Sequence, residues 1–292
     1  MKELIEQVLR PQNLQKALQQ VIANKGSAGI DCLKTTELKA YVHNHKQALL
    51  ATVKGNNYLP QSILGVEIPK GGGKLRLLGI PTVVDRFLQQ AVLQVLTPKF
   101  EYDFHENSYG FRPYKNARTA VGEALSNIHE GYSHIVAIDL ETFFDEVDHC
   151  LLLNLIYQKV KCPVTLRLIR KSLRAPIQVK GRLVKRRKGV PQGSPLSPLL
   201  SNILLNELDK ELESRKLKFV RYADDFSIYC RLPSDAKLIS KAITKYLVRR
   251  LKLKVNVAKS GIVKPVNFTI LGFTFAPTYQ KGVKGAYQLT VG

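Results

Sequence analysis

Long hydrophobic runs are missing from this 292-residue chain: the longest uncharged segment, 189–206, is broken by three prolines and carries Gln, Ser and Asn. No stretch is both long and apolar enough to span a bilayer, which argues against a membrane partner. The N-terminus, MKELIEQVLRPQ, lacks the apolar core of a signal peptide, so the expected location is cytoplasmic. Cysteine is scarce as well. Cys32, Cys150, Cys162 and Cys230 lie far apart and form no CxxC pair, which excludes a disulfide framework and a zinc site of that kind. Internal repeats and low-complexity linkers are absent too. Acidic side chains are few: 23 Asp and Glu face 45 Lys and Arg.

What is there follows from that imbalance. The formal net charge is +22 and the pI is near 9.9. Such a surface attracts polyanions at long range, with nucleic acid as the first candidate and an anionic membrane surface as the second. Hydrophobic residues make up 45% of the chain, an ordinary share for a folded protein.

Leu14, Ala17, Leu18, Val21 and Ile22 recur at helical spacing, with Asn13 as the expected N-cap. A glycine-marked loop follows at 24–31, and another helix is expected from near Thr36. Residues 64–69 and 75–81 read as short strands of a hairpin joined by Gly71, Gly72 and Gly73. Helices are expected at 83–96, ended by Pro98, and at 116–129. The run 135–140 is a buried strand type. Helices then fill 149–160 and 163–173, and 177–190 forms a basic hairpin turning at Lys180-Gly181. A helix at 196–212 precedes two apolar runs, 219–222 and 226–229, joined by Ala223-Asp224-Asp225. A helix at 234–251, a strand at 268–275 and a strand-like last twenty residues complete the pattern. Strands and helices mix without a βαβ cadence, which predicts an α+β fold.

The chemistry sits in three carboxylates. A tight turn between two apolar strands projects Asp224 and Asp225 from one tip, and Asp139 ends another buried strand. If those strands are neighbours, three negative charges converge, an arrangement that is costly unless cations neutralise it. Mg2+ suits such a site, because it prefers oxygen ligands and shares them with substrate phosphates. Two ions roughly 4 Å apart would activate a 3′-hydroxyl and stabilise a leaving pyrophosphate. The plain alternative is an exposed Asp-Asp turn with no chemistry.

The motif RYADDF at 221–226 resembles the catalytic hairpin of reverse transcriptases. AIDLETFFDEVDH at 137–149 resembles the first catalytic strand of the group II intron-encoded members, and GVPQGSPLSPLLSNI at 189–203 their substrate-binding block. IPK at 68–70, RLLGIP at 76–81, NSYGFRP at 107–113 and ILGF at 270–273 follow the same order, so the resemblance runs from about residue 10 to 276. It implies a right-hand polymerase, whose palm is an antiparallel sheet backed by helices. The implied division is fingers at 1–115, palm at 116–149, fingers again at 150–190 and palm at 191–292.

Residue roles follow by the same resemblance. Asp139, Asp224 and Asp225, with the carbonyl of Leu140, would hold two Mg2+ ions, with Mn2+ as a substitute. Lys70 and Arg76 would clamp the nucleotide triphosphate, and Gln192 and Gly193 would contact nucleotide and template base. Phe144 would lie under the incoming sugar, where its ring excludes a 2′-hydroxyl, while Phe143 packs in the core. Lys259, in NVAKS at 256–260, would donate a proton to the leaving pyrophosphate. Template and primer contacts would come from Asn24, Lys25 and Gly26, from Lys185, Arg186 and Arg187, and from Leu271 and Gly272. Arg112 is read equally as a template contact and as structural. Supporting roles fall to Asp145, Asp148 and His149.

The implied partners are an RNA template, a DNA or RNA primer, dNTPs and intron RNA. On that resemblance, the helical thumb that also serves as the maturase domain of group II intron proteins is expected to be missing from this stretch, as is an endonuclease-like His and Asn cluster. Processivity and splicing activity are in question on that reading, and a homodimer through the exposed face is a further expectation. Other readings are a retron, diversity-generating or defence-linked reverse transcriptase, an RNA-dependent RNA polymerase, and a non-catalytic RNA-binding scaffold. The block at 189–203 and the loop at 24–31 favour the intron type. Phe144 argues against ribonucleotides, and a scaffold leaves the three carboxylates unexplained.

Overall fold

The structure, a computed structural model, describes residues 4–71, 73–278 and 286–291, and the side chains at 70, 71 and 74 also lie outside that description. In chain order the helices are α1 (Leu4–Val8), α2 (Pro11–Ala23), α3 (Leu38–Lys54), α4 (Val83–Glu101), α5 (Ala117–His129), α6 (Phe143–Glu146), α7 (His149–Val160), α8 (Pro163–Arg174), α9 (Ser197–Ser214) and α10 (Pro233–Arg249). The strands are β1 (Ile63–Gly71), β2 (Lys74–Ile80), β3 (His134–Ile138), β4 (Ile177–Val179), β5 (Arg182–Val184), β6 (Lys218–Tyr222), β7 (Asp225–Cys230), β8 (Gly261–Val263), β9 (Thr269–Ile270), β10 (Phe273–Pro277) and β11 (Tyr287–Val291). The mixture is α+β, as the sequence pattern predicts. No helix among the described residues is long and apolar enough to cross a membrane.

The chain divides into two compact units, Met1–Tyr102 with Val147–Ile203, and Asp103–Glu146 with Leu204–Gly292. The first holds a sheet of order β2-β1-β4-β5. The hairpin partners are antiparallel from Leu64↔Ile80 to Gly71↔Lys74, and β1 pairs with β4 in parallel through Ile63↔Ile177. Leu14, Ala17, Leu18 and Val21 form the buried stripe of α2, which packs on α4. Asn13 does not cap that helix. Arg10 is the N-cap, and the Asn13 amide donates to the carbonyls of Val8 (2.8 Å) and Ala91 (2.9 Å), because a partner on α4 outbids the local cap. Pro98 does not end α4 either; buried Leu96 and Phe100 hold one further turn against the loss of a single backbone hydrogen bond.

The second unit holds a fully antiparallel sheet of order β6-β7-β3-β8 and a smaller one of order β11-β10-β9. Its core gathers Ile135, Val220, Tyr229, Phe268, Ile270 and Phe275 with Ala120, Val121, Ala124 and Ile128 of α5. The rings of Phe268 and Phe275 stack at 5.8 Å, a contact worth about 1 kcal/mol beyond its buried area. Helix α10 covers the sheet with Ala236, Ile243 and Leu247, an i, i+7, i+11 stripe. The expected strand at 268–275 is interrupted: Leu271 and Gly272 take left-handed φ of 52° and 80°, which turns β9 back against β10. Part of the strand-like C-terminal stretch, 279–285, lies outside the described residues; β11 is the part described.

Candidate active site

The register of β3 on β7 decides the geometry of the carboxylates. Ile138 pairs with Phe226, so Asp139, the next residue along β3, faces the end of β7 that begins with Asp225. Tyr222 pairs with Asp225 across β6 and β7, leaving Ala223 and Asp224 as a two-residue turn. The sheet therefore brings all three acids to one end, although Asp139 and Asp224 lie 85 positions apart in the chain. Desolvation, then Asp224, then Asp139 push the Asp225 carboxyl up from its ordinary 3.8 to about 6. Its side chain is nonetheless solvent-exposed at the tip, so a soluble cation can reach it. Among the described residues no group of three His, Cys, Asp or Glu is placed to hold a metal ion as it stands. The donor set still suits a hard divalent cation: it is all oxygen and crowded with like charge, and a cation would offset both the burial that chiefly raises the Asp225 pKa and the smaller repulsion from Asp224 and Asp139.

The turn is held by groups that the motif does not advertise. Ala223 has a left-handed φ of 57°, a conformation costing a non-glycine residue about 1–2 kcal/mol. Its carbonyl accepts from the Arg221 guanidinium at 2.9 Å. That guanidinium is itself fixed, through Nε at 2.7 Å and Nη2 at 2.5 Å, on the Asp209 carboxylate of α9, and both side chains are fully buried. From the other side Gly110 lies on the turn so closely that a Cβ would sit 2.3 Å from the Ala223 nitrogen. The strain in the turn is thus maintained by its surroundings.

Asp139 has its own clasp. Its Oδ2 accepts from the Asn256 side-chain amide at 2.9 Å, its carbonyl accepts from the Asn256 backbone at 2.8 Å, and its N–H donates to the Ser260 hydroxyl at 3.0 Å. Asn256 and Ser260 flank Lys259 in NVAKS, a motif from which sequence reading extracts only the lysine. Lys259 is exposed, and its backbone donates to the Asn256 carbonyl at 3.2 Å. Removing the amide with Asn256→Ala is expected to slow nucleotide addition about tenfold while melting changes little, since a hydrogen bond to a charged group is worth roughly 1.5–3 kcal/mol. Steady-state primer extension and a thermal melt separate the two; an unchanged rate would show the clasp to be irrelevant. Phe143 is buried and Phe144 half-buried, edge-on at 5.3 Å, which leaves the second ring available. Leu140 is buried and bridges Val255.

Arg112 is half-buried, and its guanidinium donates to the carbonyls of Ser108 (2.7 Å), His105 and Phe104. Those bonds fix the 104–112 loop, so of its two readings the structural one has the contacts. Leu271 and Gly272 form the turn between β9 and β10.

In the first unit Arg76 and Gln192 come together: Arg76 Nε donates to the Gln192 side-chain oxygen, and the Gly79 N–H donates to the Gln192 carbonyl at 2.8 Å. Gly193, at φ 120°, would place a Cβ 2.5 Å from the Gly79 oxygen, so only glycine fits. The same segment is anchored by His149, whose Nε2–H donates to the Gly189 carbonyl at 2.7 Å, and by the Gly189 N–H, which donates to Val147. Desolvation holds the buried imidazole below its ordinary pKa; the Gly189 bond opposes this, and Arg186 and Arg174 add to it. Lys70 lies on β1, but its side chain is outside the described residues. Asn24 and Lys25 are exposed and Gly26 half-buried, in a loop whose Ser27 carbonyl accepts from Arg86. Lys185 and Arg187 are exposed beyond β5, with Arg186 half-buried.

Residues 68–275 match the family model described as reverse transcriptase (RNA-dependent DNA polymerase). The chain belongs to the reverse transcriptase family. It is therefore an enzyme domain of the nucleotidyltransferase class, its class of partner is nucleic acid, and its family generally uses divalent metal ions. It is 30% identical to Protein YkfC of Escherichia coli, over 89% of this chain and 79% of that protein. It is 34% identical to the group II intron-encoded protein LtrA of Lactococcus lactis, over 83% of this chain but 41% of that one. Among solved structures, the reverse transcriptase superposes on a partial Cas6-RT-Cas1–Cas2 complex with a TM-score of 0.53 and 26% identity, over 86% of this chain and 43% of the other. The motif order in the sequence and the family match agree.

Proposed function

We propose that the chain copies RNA into DNA as the finger-and-palm portion of a group II intron-type reverse transcriptase. What carries the reading is the β3–β7 register, which sets Asp139 against the Asp224–Asp225 tip. On this reading residues 116–149 and 191–292 are the palm, and 1–115 and 150–190 supply finger functions. Asp139, Asp224 and Asp225, with the Leu140 carbonyl, would hold two Mg2+ ions. Bound there, such ions would favour ionisation of a primer 3′-hydroxyl and neutralise the departing pyrophosphate.

The chain's own residues do the rest. Asn256 and Ser260 orient Asp139, and Arg221 and Gly110 hold the tip in its left-handed turn. Phe144 restricts the space at the sugar and so selects deoxynucleotides. Arg76, aligned by Gln192, and Lys70 engage the triphosphate, and Lys259 donates a proton to pyrophosphate. Lys185, Arg187 and the 24–26 loop take the template backbone. Intron RNA and a second copy of the chain are proposed partners on the resemblance alone, and the cytoplasm is the proposed location.

Primer extension on an RNA template with dNTPs and Mg2+ tests the reading. The wild-type chain should extend the primer, and Asp224→Ala should lower the rate by about a hundred- to a thousandfold, the order expected when a group that stabilises transition-state charge is removed. Extension by the variant at the wild-type rate would overturn the assignment.

A further inference from the structure

Two exposed aromatic rings lie on the segment that packs against the Asp224–Asp225 turn. Phe111 follows Gly110, the residue whose backbone lies on Ala223, and Tyr114 comes three residues later. Phe111 is 56% exposed and Tyr114 fully exposed. Among the described residues neither ring stacks on another ring or meets a cation. A core or a cap would have buried them.

The segment that carries the rings is nevertheless firmly built. Tyr109 N–H donates to the Arg221 carbonyl at 2.8 Å, and Arg221 N–H donates to Asn107 at 2.9 Å. Arg112 binds the carbonyls of His105 and Ser108, and the Lys115 ammonium donates to Glu106 at 2.7 Å while lying 4.8 Å over the Tyr109 ring. Within this rigid frame Phe111 and Tyr114 both take left-handed backbone, with φ of 58° and 62°. Bulky residues rarely adopt that conformation, and here it leaves both rings pointing to solvent. The result is two exposed rings on the segment whose Gly110 lies against the Ala223 turn, on a chain of net charge +22.

We propose that Phe111 and Tyr114 form a stacking platform for unpaired bases of the template strand next to the nucleotide being copied. Every base has a flat π-face, so stacking grips a strand without regard to its sequence, as a copying enzyme requires. Basic side chains alone would hold the backbone but leave the bases free to rotate. This inference rests on the polymerase reading and adds to it a residue-level contact with one strand.

The test uses the whole chain and a DNA primer annealed to RNA, either blunt or with a single-stranded template overhang carrying 2-aminopurine. Wild-type protein should quench the fluorophore and bind the overhang substrate more tightly than the blunt one. Phe111→Ala with Tyr114→Ala should remove the quenching and weaken overhang binding by roughly tenfold for each ring. The melting temperature should stay put, since neither ring is buried, and Phe111→Trp should retain the quenching. Unchanged quenching in the double variant overturns the platform, as does an equal loss of affinity on blunt and overhang substrates. A variant that alters only self-association or protein binding assigns the rings to another partner and also overturns it. If wild-type protein quenches yet extends no primer, the polymerase reading falls and the stacking contact stands.

Discussion

Arg221→Met is expected to lower stability by about 3–5 kcal/mol, because it strands a charged Asp209 in a fully buried site. Against a typical total of about 5–15 kcal/mol that is a large share. At about 2–4 °C per kcal/mol the melting midpoint should fall by about 10 °C. Asp209→Leu should do comparable harm by leaving the guanidinium unpaired. The double variant Asp209→Leu with Arg221→Met should melt close to wild type, since a well-packed apolar pair often replaces a buried ion pair without loss. Its polymerase activity should not return. The Ala223 carbonyl will still lack its donor, and a strained turn without that bond has no reason to keep Asp224 and Asp225 in place. Primer extension about ten- to a hundredfold below wild type in the refolded double variant is the expected result. Full activity there would restrict the ion pair to a role in the fold.

That ion pair also shows where sequence reading ends. Asp139, Asp224 and Asp225 were legible because strand-type runs and a turn flanked them, and the same local patterns gave α7, α8 and the β1–β2 hairpin with nearly their observed bounds. The register joining β3 to β7 was not legible, because nothing local specifies which strand a buried run will pair with. Asp209 and Arg221 lie twelve residues apart on a helix and a strand, so no helical or strand spacing links them. Asn256 and Ser260 stood inside a recognised motif, yet a polar residue in a loop gives no sign of what it will bind. Local rules also overreached. Asn13 fits a cap, but a distant carbonyl on α4 took its amide. Pro98 reads as a stop, but core contacts in the last turn of α4 outweighed one lost bond.

Asp225→Asn should make the metal-free protein more stable while abolishing its activity. The folded carboxyl titrates near 6, above its ordinary 3.8, so the native state holds a proton that the unfolded state has already released. Between those values native protein binds more protons than unfolded protein, and stability from this group falls as pH rises; above about 6 the full penalty applies. Comparing variants isolates this group from others such as His149, whose lowered pKa acts with the opposite sign, its stability being lost as pH falls below the ordinary imidazole value. In EDTA, wild-type melting should therefore lose ground to Asp225→Asn between pH 5 and pH 7. Adding Mg2+ at pH 7 should reverse the order, because a cation that binds the ionised cluster stabilises only the folded wild type. The variant should respond weakly, having lost one of the three charges. Equal Mg2+ responses in the two proteins would mean that the cluster is not where the ion binds, and the carboxylates would then need another explanation for being gathered at one sheet end.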